Sequence, residues 1–193
     1  MELNRRGPSA LSLEIPPWLD EIARDFSEPL VDDEARMALA IRLSAENVAR
    51  GGGPFGAAVF LEQSLLAVGV NLVLASGFSI AHAEIVALLR AQAAFGKDAP
   101  LTLPPLTVYA STEPCCQCFG ALVWGGVRRL VCAATTADAE AIGFDEGPKP
   151  EHWVELLERR GVSVVQGLRR SDAVSVLQGY AAQGGLIYGK PAS

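Results

Sequence analysis

Apolar residues recur along the chain with two spacings, which predict helices in some segments and strands in others. Trp18, Ile22 and Phe26 fall on one face of a short helix, and a similar stripe over residues 37–48 ends at three consecutive glycines. Further helices are predicted from about residue 81, with Ile85, Leu88 and Leu89 facing inward, at 115–124, around 153–157 and at 171–182.

The shorter apolar runs predict strands. Residues 55–61 and 65–71 flank a few polar positions, which is typical of a hairpin, and 106–110, 129–133 and 162–166 predict three more strands. Strands separated by helices favour a mixed sheet that is covered on both faces. We therefore expect an α/β fold with three layers.

Composition favours a single folded domain. Half of the 193 residues are apolar and a fifth are charged, and a chain of this length can remove roughly 70% of its unfolded surface from water. We expect one domain over residues 16–193, preceded by an irregular arm over 1–15.

The net charge is −6, which disfavours a nucleic-acid backbone as the main partner and leaves a small molecule as the better candidate. The apolar run near the N-terminus is interrupted too early for a secretory leader, and no segment approaches the ~20 apolar residues of a membrane span. These patterns predict a cytoplasmic protein that binds no membrane.

The distribution of cysteine and histidine indicates a metal site. Three of the four cysteines lie at positions 115, 116 and 118, and there are only two histidines. A disulfide framework would need cysteines that are spread along the chain, whereas such a cluster is more typical of metal binding or catalysis.

Two short motifs make this indication specific: H-x-E at 82–84 and P-C-x-x-C at 114–118. Cys115 and Cys118 share a helix face, and His82 completes three protein ligands, the number found in a catalytic zinc site that keeps its fourth position for water. Cys116 should point away and pack. We expect one Zn²⁺ per chain.

Glu84 is the candidate for proton transfer. Zinc lowers the pKa of a bound water toward 7, and the attacking water still needs a group that accepts and returns protons. Residues i and i+2 face apart in a helix interior, so Glu84 can share a cavity with His82 only if the helix begins near Ala81.

At these residues the chain resembles the cytidine-deaminase-like superfamily, whose zinc nucleobase deaminases have the H-x-E and P-C-x-x-C signature. The resemblance implies a three-layer α/β/α sandwich around a five-stranded mixed sheet. Over roughly residues 35 to 190 the chain is similar to the compact bacterial guanine deaminases within that superfamily. The matching segments are 52–56, Asn71, 81–84, 111–115, Trp124 and 141–146.

The resemblance implies a role for each matching residue. Glu84 is the proton shuttle, and Glu146 is a second catalytic acid near the exocyclic amine, with Asp145 as the alternative. The implied zinc ligands are His82, Cys115 and Cys118. The implied substrate-binding residues are Asn71, Phe55, Trp124 and His82. From the residues alone, Phe55 and Trp124 could equally belong to the core, and Asn71 and Glu146 could be turn or surface residues.

The implied reaction is the zinc-dependent hydrolysis of guanine to xanthine and ammonia, as part of purine metabolism. Alternatives are deamination of guanosine, cytidine, ammeline, a pterin or tRNA adenosine, and a non-catalytic zinc-stabilised binding protein. The resemblance also implies a homodimer, in which the C-terminal segment after Gly184 and Gly185 could cross to the partner.

Overall fold

Five strands form one mixed sheet at the centre of the computed structural model, which describes residues 11–26, 30, 32–96 and 103–188. The strands are β1 Gly56–Leu61, β2 Ser64–Val70, β3 Leu106–Thr112, β4 Val127–Ala134 and β5 Ser163–Val165. Their order is β2-β1-β3-β4-β5. β1 is antiparallel to β2 and β3, while β3, β4 and β5 are parallel. This arrangement confirms the predicted α/β fold.

Helices connect the strands and cover both faces of the sheet. They are α1 Pro17–Arg24, α2 Asp33–Ala49, α3 Val73–Ser76, α4 Ala83–Phe95, α5 Cys116–Trp124, α6 Thr136–Ala141, α7 Trp153–Glu158 and α8 Arg170–Ala182. Among the described helices, none is long and apolar enough to cross a membrane.

Two hydrophobic cores lie on opposite faces of the sheet, because successive side chains of a strand point to opposite sides. In β1, Ala58 and Phe60 pack with α1, α2 and α8, while Ala57 and Val59 pack with α4, α5 and α7. β1 is therefore apolar on both faces, which explains its uninterrupted apolar run in the sequence.

A glycine in β2 lets α4 approach the sheet closely. A Cβ at Gly69 would lie 2.4 Å from both the Ala83 oxygen and the Ala87 nitrogen. The first turn of α4 can rest on the strand only because this side chain is missing. The close packing fixes where α4 begins, and with it the position of the residues at its start.

One detail of the sequence prediction is wrong, and part of another lies outside the described residues. Leu89 was expected to face inward but is 53% exposed. Helix α4 is apolar on nearly all sides, so periodicity alone does not identify its buried face. Of the predicted irregular arm, residues 1–10 lie outside the described part of the chain.

Candidate active site

The N-termini of α4 and α5 converge at one point. His82 is the N-cap of α4 and Cys115 is the N-cap of α5, directly after β3 and the segment 113–114. Because His82 stands before the first helical residue, its side chain and that of Glu84 can reach the same cavity. This is the helix start that the H-x-E spacing required.

The geometry of three side chains fits a zinc ion. The His82 Nδ1 atom lies 3.4 Å from the Cys115 Sγ and 3.6 Å from the Cys118 Sγ, and the three atoms all lie within 4.8 Å of one another. A tetrahedral zinc with ordinary bond lengths would place an imidazole nitrogen and a thiolate sulfur about 3.6 Å apart. The donor set and its spacing therefore match the metal.

Charge in the cluster also favours a cation. A hydrogen bond from Cys118, opposed by burial and reinforced by His82, lowers the pKa of the Cys115 thiol to about 4. Glu84 is 8% exposed, and burial raises the pKa of its carboxyl above the usual range. A thiolate and a carboxyl group that can hold a proton thus lie side by side.

A pocket opens beside the cluster. Its lining comprises Phe55, Asn71, Val73, Ser79, His82, Glu84, Glu113, Cys115, Phe144, Asp145, Glu146 and Tyr188. Phe144 contacts Phe55 edge-on, with ring centroids 4.9 Å apart, and Tyr188 in the same way at 5.2 Å. Aromatic walls with a few polar groups give this pocket the character of a small-molecule site.

Asn71 lies in this pocket immediately after β2. It is 2% exposed, and its Oδ1 accepts a hydrogen bond from the Val73 N–H at 3.1 Å. That bond orients the amide and leaves its nitrogen as a donor for another partner.

The structure separates the two neighbouring acids of the 145–150 loop. Glu146 is buried in the pocket wall, and burial together with the Cys115 thiolate raises the pKa of its carboxyl to about 8. Asp145 is exposed, and its Oδ1 accepts a hydrogen bond from the Gly147 N–H. Glu146 is therefore the buried carboxyl group that can hold a proton near neutral pH.

Two aromatic residues of the pocket received no role from the sequence. Phe144 belongs to segment 141–146, which matches the guanine deaminases. That match is the signal in the sequence that could have placed Phe144 in the pocket. Tyr188 comes from the C-terminal tail, where a Tyr180 O–H bond to the Leu186 carbonyl holds the chain back against the fold at 2.6 Å. The Tyr188 hydroxyl is buried without a protein partner among the described residues.

In the single chain the C-terminal segment lies against its own pocket, and its crossing to a partner in a homodimer stays a prediction. A Cβ at Gly53 would lie 2.0 Å from the Tyr188 Oη, so this glycine leaves space for the tyrosine of its own chain. The left-handed turn at Gly184 directs the segment back to this pocket.

Trp124 does not line the pocket of its own chain and is 82% exposed. Trp124 is the last residue of α5, whereas the cysteine ligands lie at the first turn. At 1.5 Å per residue, the tryptophan backbone lies roughly 9 Å along the axis from Cys118. Cys116 points away from the cluster, as expected, and packs beside Gly147.

Comparison with known proteins adds independent findings. Residues 30–134 match the model of the cytidine and deoxycytidylate deaminase zinc-binding region. The guanine deaminase of Bacillus subtilis (strain 168) is 35% identical over 117 residues, which cover 60% of this chain and 73% of that protein.

Solved structures match over a larger part of the chain. The guanine deaminase of Nitrosomonas europaea is 45% identical, with a TM-score of 0.84 over 92% of this chain and 99% of that one. A structure in complex with 2,6-diaminopurine is 47% identical, with a TM-score of 0.84 over 93% and 97% of the two chains.

Proposed function

This chain belongs to the cytidine and deoxycytidylate deaminase zinc-binding family, and from that membership we propose that it hydrolyses guanine to xanthine and ammonia. The observation that supports this substrate best is a pocket beside the three zinc ligands that is lined by two buried carboxyl groups, Glu84 and Glu146. The similarity to guanine deaminases extends over more than nine-tenths of the chain.

His82, Cys115 and Cys118 would hold the zinc ion. When bound, zinc acidifies a water molecule so that it can attack an electron-poor ring carbon near neutral pH. Glu84 accepts the proton of the attacking water and passes it to the ring nitrogen beside C2. The burial that raises the pKa of Glu84 favours the protonated form that this second transfer needs.

Loss of ammonia from C2 requires another proton on the amine, followed by cleavage of the C2–N bond. Glu146 supplies a second carboxyl group whose raised pKa lets it donate that proton near neutrality. As the C2–N bond breaks, the C2 hydroxyl becomes the C2 carbonyl, and the proton it releases restores the one that Glu146 donated. The overall balance is guanine plus water giving xanthine plus ammonia, with both carboxyl groups back in their starting protonation states.

The planar base would be held by aromatic faces and an amide. Phe55 and Phe144 offer ring surfaces, and Asn71 presents a donor and an acceptor to the base edge. His82 would contact the substrate as a wall of the same pocket.

We also propose a cytoplasmic homodimer that acts on a free base in purine metabolism and binds no nucleic acid. All four cysteines are free, as in reducing compartments. Trp124 exposes 82% of its surface at the C-terminal end of α5, which supports a protein partner there, because aromatic residues are enriched at interfaces. The net charge of −6 supports a small substrate over a polyanion.

The test is ammonia release by zinc-loaded protein from guanine, guanosine, cytosine, cytidine, adenine and ammeline under identical conditions. We expect the highest kcat/KM for guanine, with xanthine formed in equal amount to ammonia. A higher kcat/KM for any other compound would contradict the substrate, and no ammonia from any of them would favour a zinc-stabilised binding protein.

A further inference from the structure

The loop that presents Glu146 is tied to the turn that presents the cysteine ligands. The Cys116 N–H donates to the Glu146 carbonyl at 2.9 Å. Three residues further on, the Lys149 Nζ donates to the Pro114 carbonyl at 2.9 Å. The loop is thus held at Glu146 itself and three residues beyond it, and both bonds go to residues that flank Cys115.

Lys149 is an unusually buried cation, with its side chain only 7% exposed. Its ammonium group also donates to the Thr136 Oγ1 at 2.5 Å, lies 3.8 Å from the Glu113 Oε2 and sits 4.5 Å from the centre of the Trp153 ring. A buried ammonium group is costly unless carboxylate and hydrogen-bond partners surround it. The enclosure fixes the lysine in one geometry.

Glu113 is equally constrained. Its Oε2 accepts from the Thr136 N–H and from the Thr136 hydroxyl, both at 2.9 Å, and its Oε1 accepts from the Gln166 Nε2 at 2.5 Å. The buried pair of Glu113 and Lys149 therefore connects the ends of β3 and β4, the start of α6 and the segment after β5. These rigid elements anchor the loop of Glu146.

We propose that Lys149 is a positioning residue for Glu146: it clamps the 145–150 loop onto the Pro114 turn, so that the second carboxyl group stays over the pocket. The inference rests on the proposed function, because it assigns Glu146 a role in proton transfer. Lys149 lies outside the pocket lining, and besides holding the loop its charge opposes the burial that raises the pKa of Glu146.

The test is a double-mutant cycle. Lys149→Met keeps the length and apolar stem of the side chain while removing its charge and donors. We expect it to lower kcat for guanine about tenfold with little change in KM, since small misplacements of a reacting group are costly. In the Glu146→Gln background the same substitution should lower kcat less than about twofold, because the positioned group is already disabled.

A second readout does not depend on activity. In zinc-loaded protein, Lys149→Met should speed amide hydrogen exchange in a peptide spanning 143–152, with zinc content still one per chain. If the single variant does not fold, Glu113→Gln with Lys149→Met removes both charges and leaves neither buried alone. The same kcat cycle and exchange measurement then apply to that pair.

The outcomes separate the two claims. If Glu146→Gln deaminates guanine like the wild type, Glu146 is not the second acid. The positioning role of Lys149 is then rejected as well. If Glu146→Gln is impaired, three results overturn only the positioning inference. These are a Lys149→Met variant with unchanged kcat, a kcat that Lys149→Met lowers by the same factor in the wild-type and Glu146→Gln backgrounds, and unchanged hydrogen exchange.

Discussion

Asn47 joins α2 to two edges of the pocket, and its removal should destabilise the fold measurably. The side chain is 4% exposed, and its Nδ2 donates to the Gly53 carbonyl at 2.8 Å and to the Asn71 carbonyl at 2.9 Å. Asn47→Ala removes both donors and leaves two buried carbonyl groups to find other partners.

Each buried carbonyl that loses its partner costs about 1–3 kcal/mol. The two carbonyls share one donor group and water can reach part of the space that is vacated, so we expect a loss of about 2–4 kcal/mol in the free energy of unfolding. For a chain of this size that corresponds to a fall in Tm of roughly 4–16 °C. Because Asn71 moves with its carbonyl, KM for guanine should also rise.

Ser44→Ala is the matched control. Ser44 lies one turn earlier on α2 and is 1% exposed, but its hydroxyl has no partner among the described residues. Its removal should change the free energy of unfolding by less than about 0.5 kcal/mol or raise it, because no hydrogen bond is lost.

The assay is urea unfolding followed by circular dichroism, with zinc at one fixed concentration because a ligand of the folded state adds to stability. Equal losses for Asn47→Ala and Ser44→Ala would refute the reasoning, since the loss would then not depend on the two hydrogen bonds that Asn47 makes and Ser44 lacks.

Two further predictions concern the metal and the acid response. Cys118→Ala should lose zinc while Cys116→Ala keeps one zinc per chain by elemental analysis, and equal zinc in both variants would contradict the ligand set. The hydrogen bond from Arg129 lowers the pKa of Asp33 below its ordinary 3.8. Asp33 therefore contributes its full stability above pH 3.8, and that contribution is lost as the pH falls through the lower pKa of the folded state. The gap in unfolding free energy between wild type and Asp33→Asn should therefore shrink on acidification below about pH 4, and a gap independent of pH would contradict this role.

The sequence predicted the sheet, its helical layers and the zinc ligands because each depends on local spacing. Strands that are apolar on both faces and separated by helices indicate a covered sheet, and a histidine at a helix cap with cysteines three apart defines a metal site. The resemblance to a known family added Glu146, which the loop pattern alone left open between pocket and solvent.

Other features depend on contacts between distant segments, which no local pattern encodes. The pairing of Glu113 with Lys149 requires the 145–150 loop to reach the C-terminal end of β3. The position of Tyr188 depends on the turn at Gly184. Trp124 lies away from the pocket of its own chain because it stands at the opposite end of α5 from the cysteine ligands, a distance that its place in a matching motif does not encode.

The central claim is tested most directly by the products formed from guanine by the wild type and by Glu84→Ala, each with its zinc content measured. We predict one xanthine per ammonia for the wild type. For the variant we predict one zinc per chain and a turnover reduced by about 10²–10⁴-fold, the range expected when a general acid and base is removed. A fully zinc-loaded wild type that forms no xanthine, or a zinc-loaded variant with normal turnover, would contradict the account.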